Sequence, residues 1–246
     1  MSTSRAQAII RPLLRFVLTL FLASLIIFAL MRAVPGNPAR VALGVNATDD
    51  AIAELSAELG LDRPLLAQYV EWVKGLATGD FGKSLSSQQD ITPLVLDRLQ
   101  VTLILIGLAM ALALACAIPI GMWLAHNRNS RVAGLVSAGT QLGIAVPSFL
   151  VGIILVAIFA VHLGWLPANG WVPPNRGVGD FLRHLILPVI ALALVQGAML
   201  TRYMRSSVLD VMDQDYIRTA RALGDSPREA LRRHGLRNAA LPVLTV

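Results

Sequence analysis

Residues that could do chemistry are sparse in this chain, and its charged residues concentrate near the end. Counted from Arg202, residues 202–242 hold eight of the 21 basic residues and five of the 15 acidic ones, between hydrophobic stretches. Side chains of this charge density suit docking against a protein or solvation by water, and they do not fit inside hydrocarbon. We call residues 213–242 the charged hairpin. From local sequence alone, an ordinary surface loop is the alternative interpretation.

The sequence lacks the motifs of nucleotide, metal and disulfide chemistry. It contains no GxxxxGK[ST] phosphate-binding loop, no HExxH and no CxxC. Cys116 is the single cysteine and lies inside an apolar run, which excludes an internal disulfide and makes packing its expected role. The histidines lie near the ends of apolar runs or in the hairpin, where surface or interfacial roles are expected: His126, His162, His184 and His234. We therefore predict no catalytic residue, no cofactor and no metal site.

Helix-capping residues divide the charged hairpin into two short helices. Asp213 or Asp215 can cap the first helix, and Gly224 can end it in the left-handed conformation that glycine tolerates. The run Ser226-Pro227-Arg228-Glu229 then matches a capping box with proline at the first helical position. Small residues at the end of the first helix would let another protein's surface approach its backbone closely.

Composition and apolar runs predict a protein that crosses a membrane several times. Hydrophobic residues make up 55%, charged residues 15%, and the mean hydropathy is +0.65. Pro147 interrupts one run and is expected to kink it. The run 16–31 also fits a cleaved signal peptide, but Arg32 stands where small cleavage-site residues belong and favours an uncleaved crossing. We predict four complete spans, with a fifth beginning after Pro242: 16–31, 101–125, 132–161 and 185–200.

The chain is predicted to divide into three parts. Residues 1–32 form the N-terminus and first span, and residues 99–246 hold the other spans with a charged segment at 202–242. Residues 33–98 form a polar segment with a turn at 34–38 and two amphipathic helices, one near 51–59 and one from Pro64. This segment is too short to bury much core alone, so we expect it to pack on the rim of the membrane domain.

The charge of the loops predicts the orientation in the membrane. The N-terminus carries +3, segment 33–98 carries −4, the turn 126–131 carries +2, loop 162–183 carries +1 and segment 202–242 carries +3. Because positive loops stay in the cytoplasm, this order places the N-terminus and the charged hairpin inside. The formal charge of +6 is then a topology signal and not a nucleic-acid signal. The predicted spans contain no Asp, Glu, Lys or Arg, which disfavours a self-powered secondary transporter, although sodium sites can use backbone oxygens.

Several motifs in order give the chain a family resemblance. It resembles the inner-membrane permease subunit of binding-protein-dependent ABC importers, in the dipeptide/oligopeptide/nickel branch. In that superfamily a cytoplasmic coupling motif reads EAA, then glycine, then a late LP. Here residues 218–224 and Leu241-Pro242 match that motif. Arg218 and Thr219 stand in place of its Glu and first Ala. Asn37 and Val101 are further departures. The other matching stretches are Leu59–Leu85, Ala145–Gly152, Leu163–Gly170 and Asp215–Gly224.

The resemblance implies an all-α fold, the type I transmembrane domain of ABC importers, in a prokaryotic inner membrane. Its implied partners are a second permease, two ATP-binding subunits and an external solute-binding protein. Members usually continue for two more crossings after the LP, so we expect a C-terminally truncated permease or a fragment. The residues expected to couple to an ATPase are Asp215, Tyr216, Arg218, Thr219, Ala220, Arg221, Ala222, Gly224 and Pro242.

Substrate is the least determined part of the prediction. We expect peptides, with nickel, glutathione or another small solute as alternatives. A membrane scaffold or receptor subunit is the rival from a different class. Pro147 and Ser148, with their small neighbours, are candidates for lining the pathway, and kinking of the span is the alternative role for the proline.

Overall fold

The structure is a computed structural model and describes residues 2–33, 36–44, 47–84, 87 and 89–244. Within these ranges the regular structure is helical, apart from one β-bridge between Lys83 and Asp90. The prediction of an all-α fold is confirmed. Part of the predicted turn at 34–38 and Leu85 of the matching stretch lie outside the described residues, as do residues 245–246 of the predicted fifth span. The chain divides into two compact units, residues 1–99 and 100–246.

The first unit begins with a long apolar helix and continues with three short helices. One difference from the sequence prediction is at Pro38, which starts a helix where only a turn was expected. Asn37 caps that helix by accepting a hydrogen bond from the N–H of Ala39 at 2.8 Å, and proline tolerates the first helical position because it needs no N–H there. The helices are α1 (Ser2–Ala33), α2 (Pro38–Leu43), α3 (Asp49–Glu58) and α4 (Leu65–Thr78).

Aromatic side chains hold α4 against α1. The ring of Phe28 lies 5.4 Å from that of Tyr69 and 6.0 Å from that of Trp72, measured between ring centroids. The Tyr69 hydroxyl is also hydrogen-bonded to Ser24 Oγ at 2.8 Å. Because a tyrosine can bury its ring and still satisfy its hydroxyl, this contact fixes a polar segment on a membrane helix.

Three helices of the described chain are long and apolar enough to cross a membrane: residues 10–33 of α1, α5 (Thr92–His126) and α8 (Val178–Met212). A fourth crossing exists only if a bent pair counts as one span. That pair is α6 (Arg131–Ala145) followed by α7 (Ser148–Leu155) and a π-helical stretch, Val156–His162, with a bend of 102°. A proline disfavours helical backbone at the residue before it, and Val146 is extended accordingly.

Helix α8 is the centre of the second unit. It packs against α6, α7 and the last helices of the chain, and α5 lies close enough that a Cβ on Gly197 would sit 3.7 Å from the Ala113 Cα. Small residues at helical spacing allow this approach. Cys116 lies on α5 but is exposed, so the expectation that it packs inside this chain is wrong. The buried face of α5 consists of Ala109, Ala113, Ala117, Gly121, Leu124 and Ala125.

The chain after α8 is a series of short helical pieces. Residues 202–212, which the sequence analysis grouped with the charged segment, are the last turns of α8. The charged hairpin therefore starts where α8 ends. Its pieces are α9 (Asp215–Ala222), α10 (Pro227–Ala230), a π-helical turn (Leu231–Gly235) and α11 (Leu236–Leu244).

Candidate functional site

The start of α9 differs from the predicted cap. Gln214 is the N-cap, with extended backbone and no side-chain capping bond, and Asp213 is the C-cap of α8. The prediction that Asp213 or Asp215 caps the helix is therefore wrong. Asp215 lies in the first turn, where its negative charge is favoured by the helix dipole, and it pairs with Arg218 at 3.5 Å.

The corner after α9 is a Schellman motif centred on Gly224. The Gly224 N–H donates to the Arg221 carbonyl at 3.1 Å, and the Asp225 N–H donates to the Ala220 carbonyl at 3.2 Å. Gly224 has φ +108°, as the sequence predicted for a glycine in this position. A Cβ built on it would meet no heavy atom of the described chain within 4 Å. The corner thus requires glycine for its backbone and leaves open space beside it.

The predicted capping box at Ser226 is present. Ser226 Oγ accepts from the Glu229 N–H at 3.3 Å, and the Glu229 carboxylate accepts from the Ser226 hydroxyl at 2.7 Å and from its N–H at 3.1 Å. The Ser226 hydroxyl, followed by the Ser226 N–H, lowers the pKa of Glu229 below its ordinary value. The Asp225 carboxylate pairs with Arg233 at 3.0 Å and lies 3.4 Å from His234. The turn between the two helices is therefore fixed from both sides.

A tight apolar contact anchors α9 to the membrane helix, and the sequence analysis did not identify it. Ile217 is fully buried. A Cβ on Gly235 would lie 2.8 Å from Val211 Cγ1 and 3.3 Å from Ile217 Cδ1. A glycine in the π-helical turn therefore lets that turn pack closely against both α8 and α9. The available signal was a glycine inside a helical pattern, which usually marks a close backbone approach.

Most residues expected to couple to an ATPase lie on the free face of α9. Ala220 is half-buried beside the core and Ile217 points into it, whereas the polar members and Gly224 are exposed. Leu223, at the corner, is 85% exposed. An apolar side chain projecting beside an open glycine suits a protein contact. The exposed members of the set on α9 and its corner are Asp215, Tyr216, Arg218, Thr219, Arg221, Ala222 and Gly224.

The remaining predicted residues lie on other elements. Pro242 is exposed and lies inside α11, not at the end of a helix. Tyr216 is the link between α9 and that helix, because its hydroxyl accepts from Asn238 Nδ2 at 3.2 Å. Pro147 is exposed and Ser148 half-buried at the α6–α7 bend, so the candidate pathway residues are not part of the charged hairpin.

A cavity of about 1100 Å³ is lined by the hairpin and by the ends of α5 and α8. Its apolar lining comes from α5, α8 and the hairpin and includes Ile120, Val208 and Leu236. Its charged lining comes mainly from the hairpin, where Arg221, Arg228, Arg232 and Glu229 contribute.

Comparison with known proteins identifies the family. Residues 117–246 match the family described as "binding-protein-dependent transport system inner membrane component", and residues 6–106 match the N-terminal part of such components. The chain belongs to this family. The resemblance drawn from the motifs is confirmed, and the chain is a multi-pass membrane component of a transport system.

The relatives of this inner membrane component span nearly its whole sequence. It is 36% identical, over 97% of its length and 76% of the relative's, to a probable peptide ABC transporter permease protein, y4tP, of Sinorhizobium fredii. It is 37% identical, over 98% of its length and 77% of the relative's, to the oligopeptide transport system permease protein AppB of Bacillus subtilis. The glutathione transport system permease protein GsiC of Escherichia coli K12 is 35% identical over 97% of the chain and 75% of the relative.

Proposed function

We propose that this inner membrane component is a permease subunit of an ATP-driven importer of peptides. The names of the Sinorhizobium and Bacillus relatives support peptides as the substrate class. The chain is proposed to form the translocation pathway with a second permease, to receive substrate from an external binding protein, and to leave ATP hydrolysis to two partner subunits. Its N-terminus and charged hairpin lie in the cytoplasm in this proposal.

The exposed face of α9 carries the mechanistic part of the proposal. Closure of the ATP-binding subunits would move α9, and the Ile217–Gly235–Val211 contact would pass that movement to α8. The capped corner at Gly224 and Ser226 keeps the hairpin rigid enough to act as one body. Such rigid-body gating moves packed helices between two discrete arrangements.

The Gly224 corner provides the test. In Gly224→Ala and Gly224→Leu, the left-handed backbone is strained equally, but only leucine adds a bulky side chain to the open space beside the corner. We expect Gly224→Leu to weaken binding of the ATP-binding subunits by roughly tenfold or more relative to Gly224→Ala, and to lower substrate-stimulated ATP hydrolysis. Both are measured with the purified complex in proteoliposomes.

A matched control is available in the loop after α7. Gly164 also has a left-handed backbone, φ +66°, and open space around its Cβ position, so Gly164→Leu adds the same side chain at a left-handed glycine outside the hairpin. It should bind the ATP-binding subunits normally. Equal binding and stimulated hydrolysis in all three variants would contradict the coupling role of the corner.

A glutathione substrate is the second candidate, because the Escherichia coli relative is named for it. Uptake of labelled peptides and of labelled glutathione by the reconstituted complex, with its own binding protein, separates the two. Uptake that follows an ion gradient without ATP would contradict both, and no uptake with intact partner binding would favour a scaffold or receptor subunit.

A further inference from the structure

A small polar cavity lies where α5 ends and α6 begins, beside the last turns of α8. Its volume is about 180 Å³, enough for a phosphate group with ordered water. Arg128 follows α5, Arg205 lies on α8, and Ser137 and Gln141 stand one turn apart on α6. Gly134 has no side chain and Ala138 has only a methyl group, which leaves this space open.

The charge of this cavity is uncompensated. Its lining, among the described residues, contains two arginines and no carboxylate. Neither Arg128 nor Arg205 takes part in a salt bridge of the described chain. Arg205 is half-buried on a span helix, seven residues before that helix ends. Two guanidinium groups, a hydroxyl and an amide are the donors that phosphate oxygens accept from.

The surroundings favour a phosphate that belongs to a lipid. The other face of α6, which does not line the cavity, is apolar, with Val132 58%, Leu135 74% and Leu142 69% exposed. Arg128 also lines the large cavity, whose walls are mainly apolar. A ligand that satisfies both features has an anionic head and hydrocarbon tails. Basic pockets between membrane helices recognise anionic lipid headgroups in this way.

The geometry points to a binding site for one anionic phospholipid, with its phosphate between Arg128 and Arg205 and its acyl chains along the outward face of α6. The lipid would join the ends of α5, α6 and α8, the helices next to the charged hairpin. This inference does not depend on which solute is transported.

Two sets of variants test the site by different routes. The double variant Arg128→Gln, Arg205→Gln removes the charge, and Gly134→Leu fills the space while it keeps both arginines. Gly134 has no neighbour within 4 Å of its Cβ position, so this change fits the fold. Arg202→Gln is the matched control, because Arg202 lies on α8 one turn away, is exposed, and stacks on Tyr203 outside the cavity.

The measurement is native mass spectrometry of the complete transporter complex with phosphatidylglycerol or phosphatidylcholine of the same acyl chains. We expect phosphatidylglycerol to bind roughly tenfold more tightly than phosphatidylcholine, and each cavity variant to remove that preference while Arg202→Gln keeps it. Equal binding of the two lipids, or equal loss in Arg202→Gln, would overturn the inference. Displacement of the lipid by inorganic phosphate would overturn the inference in favour of a free-anion site. Lipid binding to the isolated chain but not to the complex would also overturn it, because a partner subunit would then fill the cavity.

Discussion

The hairpin's second helix, α10, begins with a capping box made by the side chains of Ser226 and Glu229. The carboxylate of Glu229 accepts two hydrogen bonds from Ser226, and both are stronger when it is ionised. Since these bonds lower the pKa of Glu229, the ionised form stabilises the folded turn. The stabilisation is present above the carboxyl group's ordinary pKa and is lost as the pH falls through the lowered one.

We therefore expect the turn to open more readily in acid. Hydrogen exchange of the amides of residues 228–230, corrected for the intrinsic rate, should show lower protection near the lowered pKa than at neutral pH. Glu229→Gln is the control, because glutamine can occupy the same position of a capping box but does not titrate. Ser226→Ala should reduce protection at neutral pH by roughly 1 kcal/mol. If wild type and Glu229→Gln respond to acid alike, the carboxylate is not responsible.

Residue patterns predicted the local features of the hairpin better than its tertiary contacts. The capping box and the left-handed Gly224 depend on neighbours within four residues, so the sequence contains all of their determinants. Gly235 is different, because its need for glycine comes from Val211 and Ile217, which only the fold brings to it. The Asp213 or Asp215 cap was wrong because α8 extends further than its apolar run, and Asp213 ends that helix instead.

At the scale of elements, α5 and α8 approach each other closely at Gly121. A Cβ on Gly121 would lie 2.7 Å from Met204 Cβ and 3.0 Å from the Thr201 carbonyl oxygen. Met204 is fully buried and Thr201 nearly so. Since backbone lies on one side of the contact, a larger residue cannot be accommodated by rotating a side chain alone.

Gly121→Leu should therefore separate the two helices. We expect the purified complex to lose roughly 1–3 kcal/mol of stability, seen as a lower melting temperature in detergent. Gly107→Leu is the matched control on the same helix, because nothing lies within 4 Å of its Cβ position. Both changes improve helix propensity, so a difference between them isolates the packing. Equal melting temperatures would mean that α5 and α8 do not pack here.

The α6–α7 bend shows how far an element can be predicted from its sequence. Pro147 marks the break correctly, because proline restricts the residue before it. The angle of 102° was not predicted, and the expected single kinked crossing is two helices with a sharp corner. The angle depends on what α6 and α7 each pack against, and both pack against α8.

At the scale of the whole molecule, orientation follows from charge. The turn 126–131 carries +2 and the charged segment +3, whereas the segment 33–98 carries −4. Positive loops are retained in the cytoplasm, and this rule underlies the proposed position of the hairpin. In the proposed orientation, the proposed lipid site lies at the cytoplasmic ends of the helices, where the membrane surface is negatively charged.

Cysteine labelling in intact cells tests this orientation. In a Cys116→Ser background, Ser130→Cys lies in the turn before α6 and Asn169→Cys lies in the loop before α8, and both positions are exposed. A membrane-impermeant maleimide should label Asn169→Cys in intact cells and Ser130→Cys only after the cells are opened. The reverse pattern would invert the proposed topology.

The length of α8 has a mechanical consequence. At about 1.5 Å per residue its 35 residues extend roughly 52 Å, well beyond the roughly 30 Å of a hydrocarbon layer. Its close approach to α5 at Gly197 lies near its middle, with arms of roughly 28 Å and 22 Å on the two sides. A rod held there and at Met204, where α5 also contacts it, would tilt about that region, so a sideways push at the hairpin would move the opposite end of α8 the other way. Pro188 lies in the longer arm, which makes that arm the more compliant one.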